Sequence, residues 1–155
     1  MDNSFLYTKT LLLVDDELDL LKMLSDILKD AGFQKILMAD TGKEAVAEAK
    51  KGKPDLIILD PPRDGIHPKA LDKIIDFGVD RMVYISCKPT SLARDLVTLQ
   101  SSGYRVEKCC CIDLFPSTYH CETVCLLGKR KPDTKVKIGI DMDDYYRIRE
   151  NAESK

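Results

Sequence analysis

Three acids in this 155-residue chain stand where a strand gives way to a loop. The run Leu56, Ile57, Ile58, Leu59 closes on Asp60, and Thr10 to Val14 closes on the pair Asp15 and Asp16. An apolar run of that length ending in an acid has the continuity of a strand buried on both faces, as in a parallel sheet. Open α/β sheets place their ligands at the carboxyl ends of such strands. Pro61 and Pro62 can continue neither a ladder nor a helix, so the chain must turn away directly after Asp60. An acid at a strand end also commonly serves only to cap or solvate a loop, so the neighbouring residues decide what Asp60 does.

Thiols are the second chemical resource. The chain has six cysteines, at positions 87, 109, 110, 111, 121 and 125. No C-x-x-C knuckle is present, and three adjacent cysteines on a strand must alternate between its faces, which suits neither a metal knuckle nor a disulfide framework. Reduced thiols in a core are the expected state.

The elements that must position these groups follow from periodicity. Strands are expected over Thr10–Val14, Lys35–Ala39, Leu56–Leu59, Arg81–Ser86, Tyr104–Ile112 and His120–Gly128. Glu17 to Ala31 reads as a helix with Leu20, Leu21, Leu24, Ile27, Leu28 and Ala31 inward, stopped by Gly32. Thr41 with Glu44 forms a capping box for a helix closed by Gly52. Pro68 opens a helix that ends at Gly78, and Pro89 to Ser102 forms another, followed by Gly103. Alternation of strand and helix predicts an α/β fold with a mainly parallel sheet. The last two strands are joined by a link too short for a helical crossover and should pair antiparallel at a sheet edge. Residues 1–9 read as a polar lead-in. The tail 132–155, with a strand expected over Lys135–Ile140 and a helix over Asp143–Ala152, has no functional reading.

Composition narrows the class. With 44% hydrophobic and 32% charged residues and a formal charge of -2, the chain has the profile of an ordinary globular protein with no global pull toward nucleic acid. RNA affinity would need a local basic patch, and the densest basic run, Lys129 to Lys131, reads as a solvated strand exit. No signal peptide, membrane span or DNA-binding domain is read, so a cytoplasmic location is expected.

The stretch TLLLVDDELDLLKMLSDILKDAGF together with ADTGKEAVAEAKKGKPDLIILD resembles the amino-terminal half of a bacterial response-regulator receiver domain, over about residues 9–60. That resemblance implies Asp15, Asp16 and Asp60 as acids around Mg²⁺, Asp60 as phosphoacceptor, and a histidine kinase as partner. Clustered carboxylates can hold a hard cation that neutralises an incoming phosphate. The lysine that a receiver carries at the end of its fifth strand has no counterpart, since Lys108 lies inside its strand.

DPPR at Asp60–Arg63, SCKPTSLARDL at Ser86–Leu96 and LFPSTYHCETVCLL at Leu114–Leu127 are similar, in the same order, to the carboxyl-terminal catalytic part of the RNA uracil 5-methyltransferases, over about residues 55–131. The resemblance implies Cys87 as nucleophile toward uracil C6 and Glu122 as the base that removes the C5 proton. It also implies a cofactor and substrate pocket at Asp60, Pro61, Pro62 and Arg63, with S-adenosylmethionine as cofactor and RNA as partner. Lys88 stands where the family commonly has asparagine. The glycine-rich turn expected after the first strand is absent, and VDDELDL occupies its place.

Both families set their shared strand beside strand one, so a splice at Pro54–Gly65 predicts a three-layer α/β sandwich with strand order 2-1-3-4-6-5 and an antiparallel final hairpin strand. The sequence therefore reads as one chimeric domain over residues 1–131, receiver-like over 1–60 and methyltransferase-like over 61–131. Its expected character is a folded chimera without efficient catalysis. The alternatives are a phosphoacceptor module and an S-adenosylmethionine-dependent RNA uracil 5-methyltransferase.

Overall fold

A computed structural model of the chain describes residues 4–114 and 121–129. The apolar runs form six strands, β1 (Thr10–Asp15), β2 (Lys35–Ala39), β3 (Leu56–Asp60), β4 (Arg81–Ser86), β5 (Tyr104–Ile112) and β6 (Glu122–Lys129). Between them lie α1 (Ser4–Tyr7), α2 (Leu18–Asp30), α3 (Gly42–Gly52), α4 (Pro68–Phe77) and α5 (Pro89–Ser101). The sheet order is β2-β1-β3-β4-β6-β5, as the splice predicts. β1 runs parallel to β2 and β3, and β3 to β4, whereas β6 is antiparallel to both β4 and β5.

Right-handed crossovers place α2 on one face of the sheet and α3, α4 and α5 on the other, because the path from β1 to β2 runs opposite to every later step. α3 accordingly packs on β1, β2 and α4, and α4 meets α5. The core on that face is built from Leu12, Ile57, Leu59, Met82, Tyr84 and Leu127, alternate residues of four adjacent strands.

Local chemistry sets the helix ends. The Thr41 hydroxyl accepts from the Glu44 amide at 3.2 Å, and the Glu44 carboxylate accepts from the Asp40 amide at 3.1 Å. The return bond thus reaches one residue before the cap. α4 starts with Pro68 in its first turn, the His67 ring nitrogen Nδ1 accepting from the Lys69 amide at 3.2 Å, and it stops at Gly78 with φ of 62°.

Four expectations change. Residues 4–7 form the short α1 rather than a plain lead-in, and the Tyr7 ring meets Phe33 edge-on with centroids 5.3 Å apart. α3 is ended by Lys53 at φ of 47°, not by Gly52, whose missing side chain instead makes room for Leu37. In α2 the fully buried positions are Leu21 and Ser25, while Leu20 and Ile27 are exposed. So many apolar residues ring this helix that spacing alone could not choose its inner stripe. The cysteines are not core residues as a group either. Only Cys125 is buried, whereas Cys109, Cys110 and Cys111 are exposed on the edge strand β5. The strand and helix expected between residues 135 and 152 lie outside the described residues, as does most of the link between β5 and β6. Among the described residues no helix is long and apolar enough to cross a membrane.

Candidate active site

β1 and β3 end side by side, with Asp15 paired in register to Asp60. Burial raises the Asp60 carboxyl to about 6, and the negative charges of Asp15, Glu122, Asp16 and Glu17 push in the same direction. Asp15 folds back locally, its Oδ1 accepting from the Glu17 amide at 2.8 Å. Among the described residues no group of three or more His, Cys, Asp or Glu side chains is disposed to hold a metal ion. The Mg²⁺ site read from Asp15, Asp16 and Asp60 thus finds no support among the described residues.

Beyond Asp60 the loop Pro61–His67 is clamped by α5. The Ser91 hydroxyl donates to the Arg63 carbonyl at 2.8 Å, and the Arg94 guanidinium donates to the Asp64 carbonyl at 2.7 Å. Asp95, buried within α5, accepts from the Ile66 amide at 2.8 Å and from the Tyr84 hydroxyl at 2.7 Å. Its second oxygen accepts from Arg94 Nε at 3.0 Å and Nη2 at 2.9 Å. Burial, with the Asp95 carboxylate next in effect, holds the Tyr84 phenol well above its usual range. Gly65 makes the clamp possible. Its φ is 82°, and a Cβ there would lie 2.6 Å from Asp95 Oδ2 and 2.7 Å from Arg94 Nη2. The DPPRDG and SCKPTSLARDL motifs are thus two sides of one joint.

Sequence reasoning missed Ser91, Arg94, Asp95 and Tyr84 in this role. A signal was present, since Ser91 and Asp95 sit four residues apart on the helix face that also buries Leu92 and Leu99. A serine and an acid on an apolar stripe need partners inside the fold.

β4 and β6 bring up the two remaining groups. Ser86 pairs with Thr123, so Cys87 and Glu122 occupy the next step at the same end of these two strands. Both are half-buried. The turn carrying Cys87 is held by Ser86, whose hydroxyl accepts from the Lys88 amide at 3.2 Å and lies 3.1 Å from the Lys88 carbonyl as a donor. Lys88 then leads into Pro89 at the start of α5. Glu122 is close enough for its charge to act on Asp60. The sheet therefore gathers Asp60, Cys87 and Glu122 at one end, from three separate motifs.

A cavity of about 250 Å³ opens between β1 and β3 on one side and α3 and α4 on the other; Asp60 lines it, and Cys87 and Glu122 do not. Val14, Ala45, Leu59, Ile74 and Phe77 contribute apolar wall, and Asp15, Asp16, Asp40 and Asp60 stand on its lining with Pro61 and Pro62. Arg63, read with the same pocket, is not among the lining residues; its carbonyl is taken by Ser91. Asp40, at the end of β2, was not singled out from sequence. The position after the second strand is where dinucleotide folds keep an acid for ribose hydroxyls.

A mainly parallel sheet with an antiparallel last pair, a cavity lined by Asp60 at its carboxyl edge, and Cys87 and Glu122 at the same sheet end make an α/β domain of the methyltransferase type. The chain belongs to the tRNA (uracil-5-)-methyltransferase family, whose sequence model matches residues 28–130. It is 52% identical over 89 residues to an uncharacterised RNA methyltransferase of Clostridium tetani, covering 57% of this chain and 19% of that protein. A second, from Caldanaerobacter subterraneus, is 51% identical over 79 residues, covering 51% of this chain and 18% of the relative. The chain thus spans under a fifth of the length of these curated relatives. Among solved structures, the tRNA (uracil-54, C5)-methyltransferase of Pyrococcus abyssi, in complex with S-adenosyl-L-homocysteine, superposes with a TM-score of 0.57 at 24% identity. That likeness covers 77% of this chain and 34% of that one, and it is a likeness of fold. The family match begins inside α2 and runs through Asp60, so the expected join at Pro54–Gly65 lies within the matched span. The comparisons support the methyltransferase reading over the catalytically silent chimera.

Proposed function

We propose that this chain supplies the catalytic segment of an S-adenosylmethionine-dependent RNA (uracil-5-)-methyltransferase. The observation that carries the reading is the arrival of Cys87, Glu122 and Asp60 at one sheet end, where Asp60 also lines a largely apolar cavity. The residues present suit the adenosyl and cationic parts of S-adenosylmethionine. Apolar walls fit an adenine ring, Asp40 fits ribose hydroxyls, and the acids Asp15 and Asp60 fit an ammonium and a sulfonium. The turn after β1 offers less to a carboxylate, because the Glu17 amide is already taken by Asp15. When bound, the cofactor supplies an electrophilic methyl group.

The chain's own residues do the rest. The Cys87 thiolate adds to C6 of uracil, which moves electron density onto C5 and makes that carbon nucleophilic. Once C5 carries its fourth substituent, Glu122 takes the C5 proton; the C5–C6 double bond re-forms as the bond from C6 to the Cys87 sulfur breaks. Asp60 lines the cavity and feels the charge of Glu122, and the α5 clamp holds the loop that follows it.

The test is incubation of the protein with S-adenosylmethionine and RNA in which uridine is replaced by 5-fluorouridine. Fluorine at C5 cannot leave as a proton, so the Cys87-linked RNA adduct should persist on a denaturing gel. Cys87→Ala should abolish it. On ordinary RNA, Glu122→Gln should let the adduct form and lose at least about 100-fold in release, the scale of a general base. An absent adduct with wild-type protein, or one that survives Cys87→Ala, would overturn the reading.

A further inference from the structure

The cysteines of the β5–β6 hairpin are not used by the proposed chemistry, yet one pair is placed for a reaction of its own. Cys109 and Cys125 are register partners in the antiparallel ladder, and their sulfurs lie 2.9 Å apart. Directly opposed residues in such a ladder have Cα atoms roughly 4.5 to 5.5 Å apart. That separation lies inside the roughly 4.4 to 6.8 Å window in which a disulfide closes without backbone movement. The neighbouring thiols are aimed elsewhere. Cys110 pairs with Val124, and Cys111 pairs with Thr123, its Sγ 3.8 Å from the threonine hydroxyl.

The two partners differ in access. Cys109 is exposed and Cys125 is buried. Burial, and after it the hydrogen bond to Cys109, pushes the Cys125 thiol up to about 12. Cys125 is thus unreactive toward reagents in solution, while any sulfur delivered to Cys109 arrives in contact with it.

We propose that Cys109 and Cys125 form a reversible cross-strand disulfide by exchange with a small-molecule disulfide such as oxidised glutathione. The Cys109 thiolate attacks one glutathione sulfur, the S–S bond of the reagent breaks, and the first glutathione leaves as a thiolate. Cys125 gives up its proton and attacks the Cys109 sulfur of the mixed disulfide, and the second glutathione leaves. Two protein thiols are oxidised, one glutathione disulfide is reduced, and the two protons end on the two released glutathiones. The link encloses residues 110–124, Glu122 among them, and ties β6 to the edge strand, so oxidation would stiffen the side of the sheet that carries this acid.

The experiment treats the full chain with oxidised glutathione, alkylates the remaining thiols, and maps the cross-linked peptides by mass spectrometry. Wild type should lose two hydrogens in mass and yield a single link between Cys109 and Cys125. The link should form equally in Cys110→Ser/Cys111→Ser, should be absent in Cys109→Ser, and should be replaced in Cys125→Ala by stable glutathione on Cys109. Linked protein should also melt at a higher temperature than the reduced form. A cross-link that persists in Cys109→Ser would overturn the proposal. So would wild-type protein in which Cys109 and Cys125 both remain open to alkylation, or in which glutathione stays on Cys109 with no link. Cys109 is exposed, so Cys109→Ser should fold and keep the test decisive if Cys125→Ala does not.

Discussion

At Asp60, burial and four neighbouring acids act in one direction, and the consequence is a pH dependence of known sign. The unfolded carboxyl titrates near 3.8 and the folded one near 6. Between those values the folded chain binds a proton that the unfolded chain has lost, so stability falls as pH rises through that window. Above pH 6 the fold carries the full penalty of an ionised Asp60, roughly 2 kcal/mol after allowance for partial solvent exposure. Asp60→Asn should therefore raise the urea midpoint at pH 7 and flatten its slope between pH 4 and pH 6. An unchanged slope would remove the electrostatic account. Ser25 makes a second case at this scale. It is buried in α2 and its hydroxyl has no hydrogen-bond partner among the described residues. Ser25→Ala should stabilise the protein by about 1 kcal/mol, read from denaturant unfolding, because a desolvated hydroxyl without a partner is a net cost.

Among the elements, α5 does more than cover the sheet. Its Ser91, Arg94 and Asp95 fix the backbone of the loop after β3, so two motifs 26 residues apart act as one body, counting from Asp60 to Ser86. Gly65→Ala would strain a residue at φ of 82° and drive a methyl group into Asp95 and Arg94. The expected loss is about 2 to 4 kcal/mol, measured by thermal or urea unfolding. Asp95→Asn keeps the shape and loses the charge. It should cost about 1 to 3 kcal/mol and speed hydrogen exchange at the Ile66 amide, while Asp95→Ala should cost more because Tyr84 and Ile66 both lose their acceptor. Part of this level was legible beforehand. The prolines at 68 and 89, the Thr41 cap and the stop at Gly78 act through local backbone chemistry and needed no tertiary information. The inner face of α2 was not legible, because Leu20, Leu21, Met23, Leu24, Ile27 and Leu28 offer several stripes and only contact with β1 and β2 selects one. Gly52 was misread for a related reason: its role is steric, toward Leu37 on another element.

For the whole molecule, the sheet is continuous across the expected join. β3 pairs on one side with β1 and on the other with β4, so residues before and after Asp60 share a single hydrogen-bonded layer and a single core cluster. We therefore expect one cooperative unfolding transition, with circular dichroism in the near and far ultraviolet superposing. Two separated transitions would divide the chain into independent halves. By itself the sequence determined the strands and helices, because hydrophobic period and turn residues are properties of adjacent positions, while the strand order and the choice of Asp60, Cys87 and Glu122 followed from the resemblance of its motifs to known families. Only the tertiary structure decided what stands beside what. It set Asp95 under the loop after Asp60, put Cys109 against Cys125, and opened the cavity beside Asp40. Those outcomes depend on register and side-chain direction between distant segments, where a shift of one residue reverses which face a group occupies.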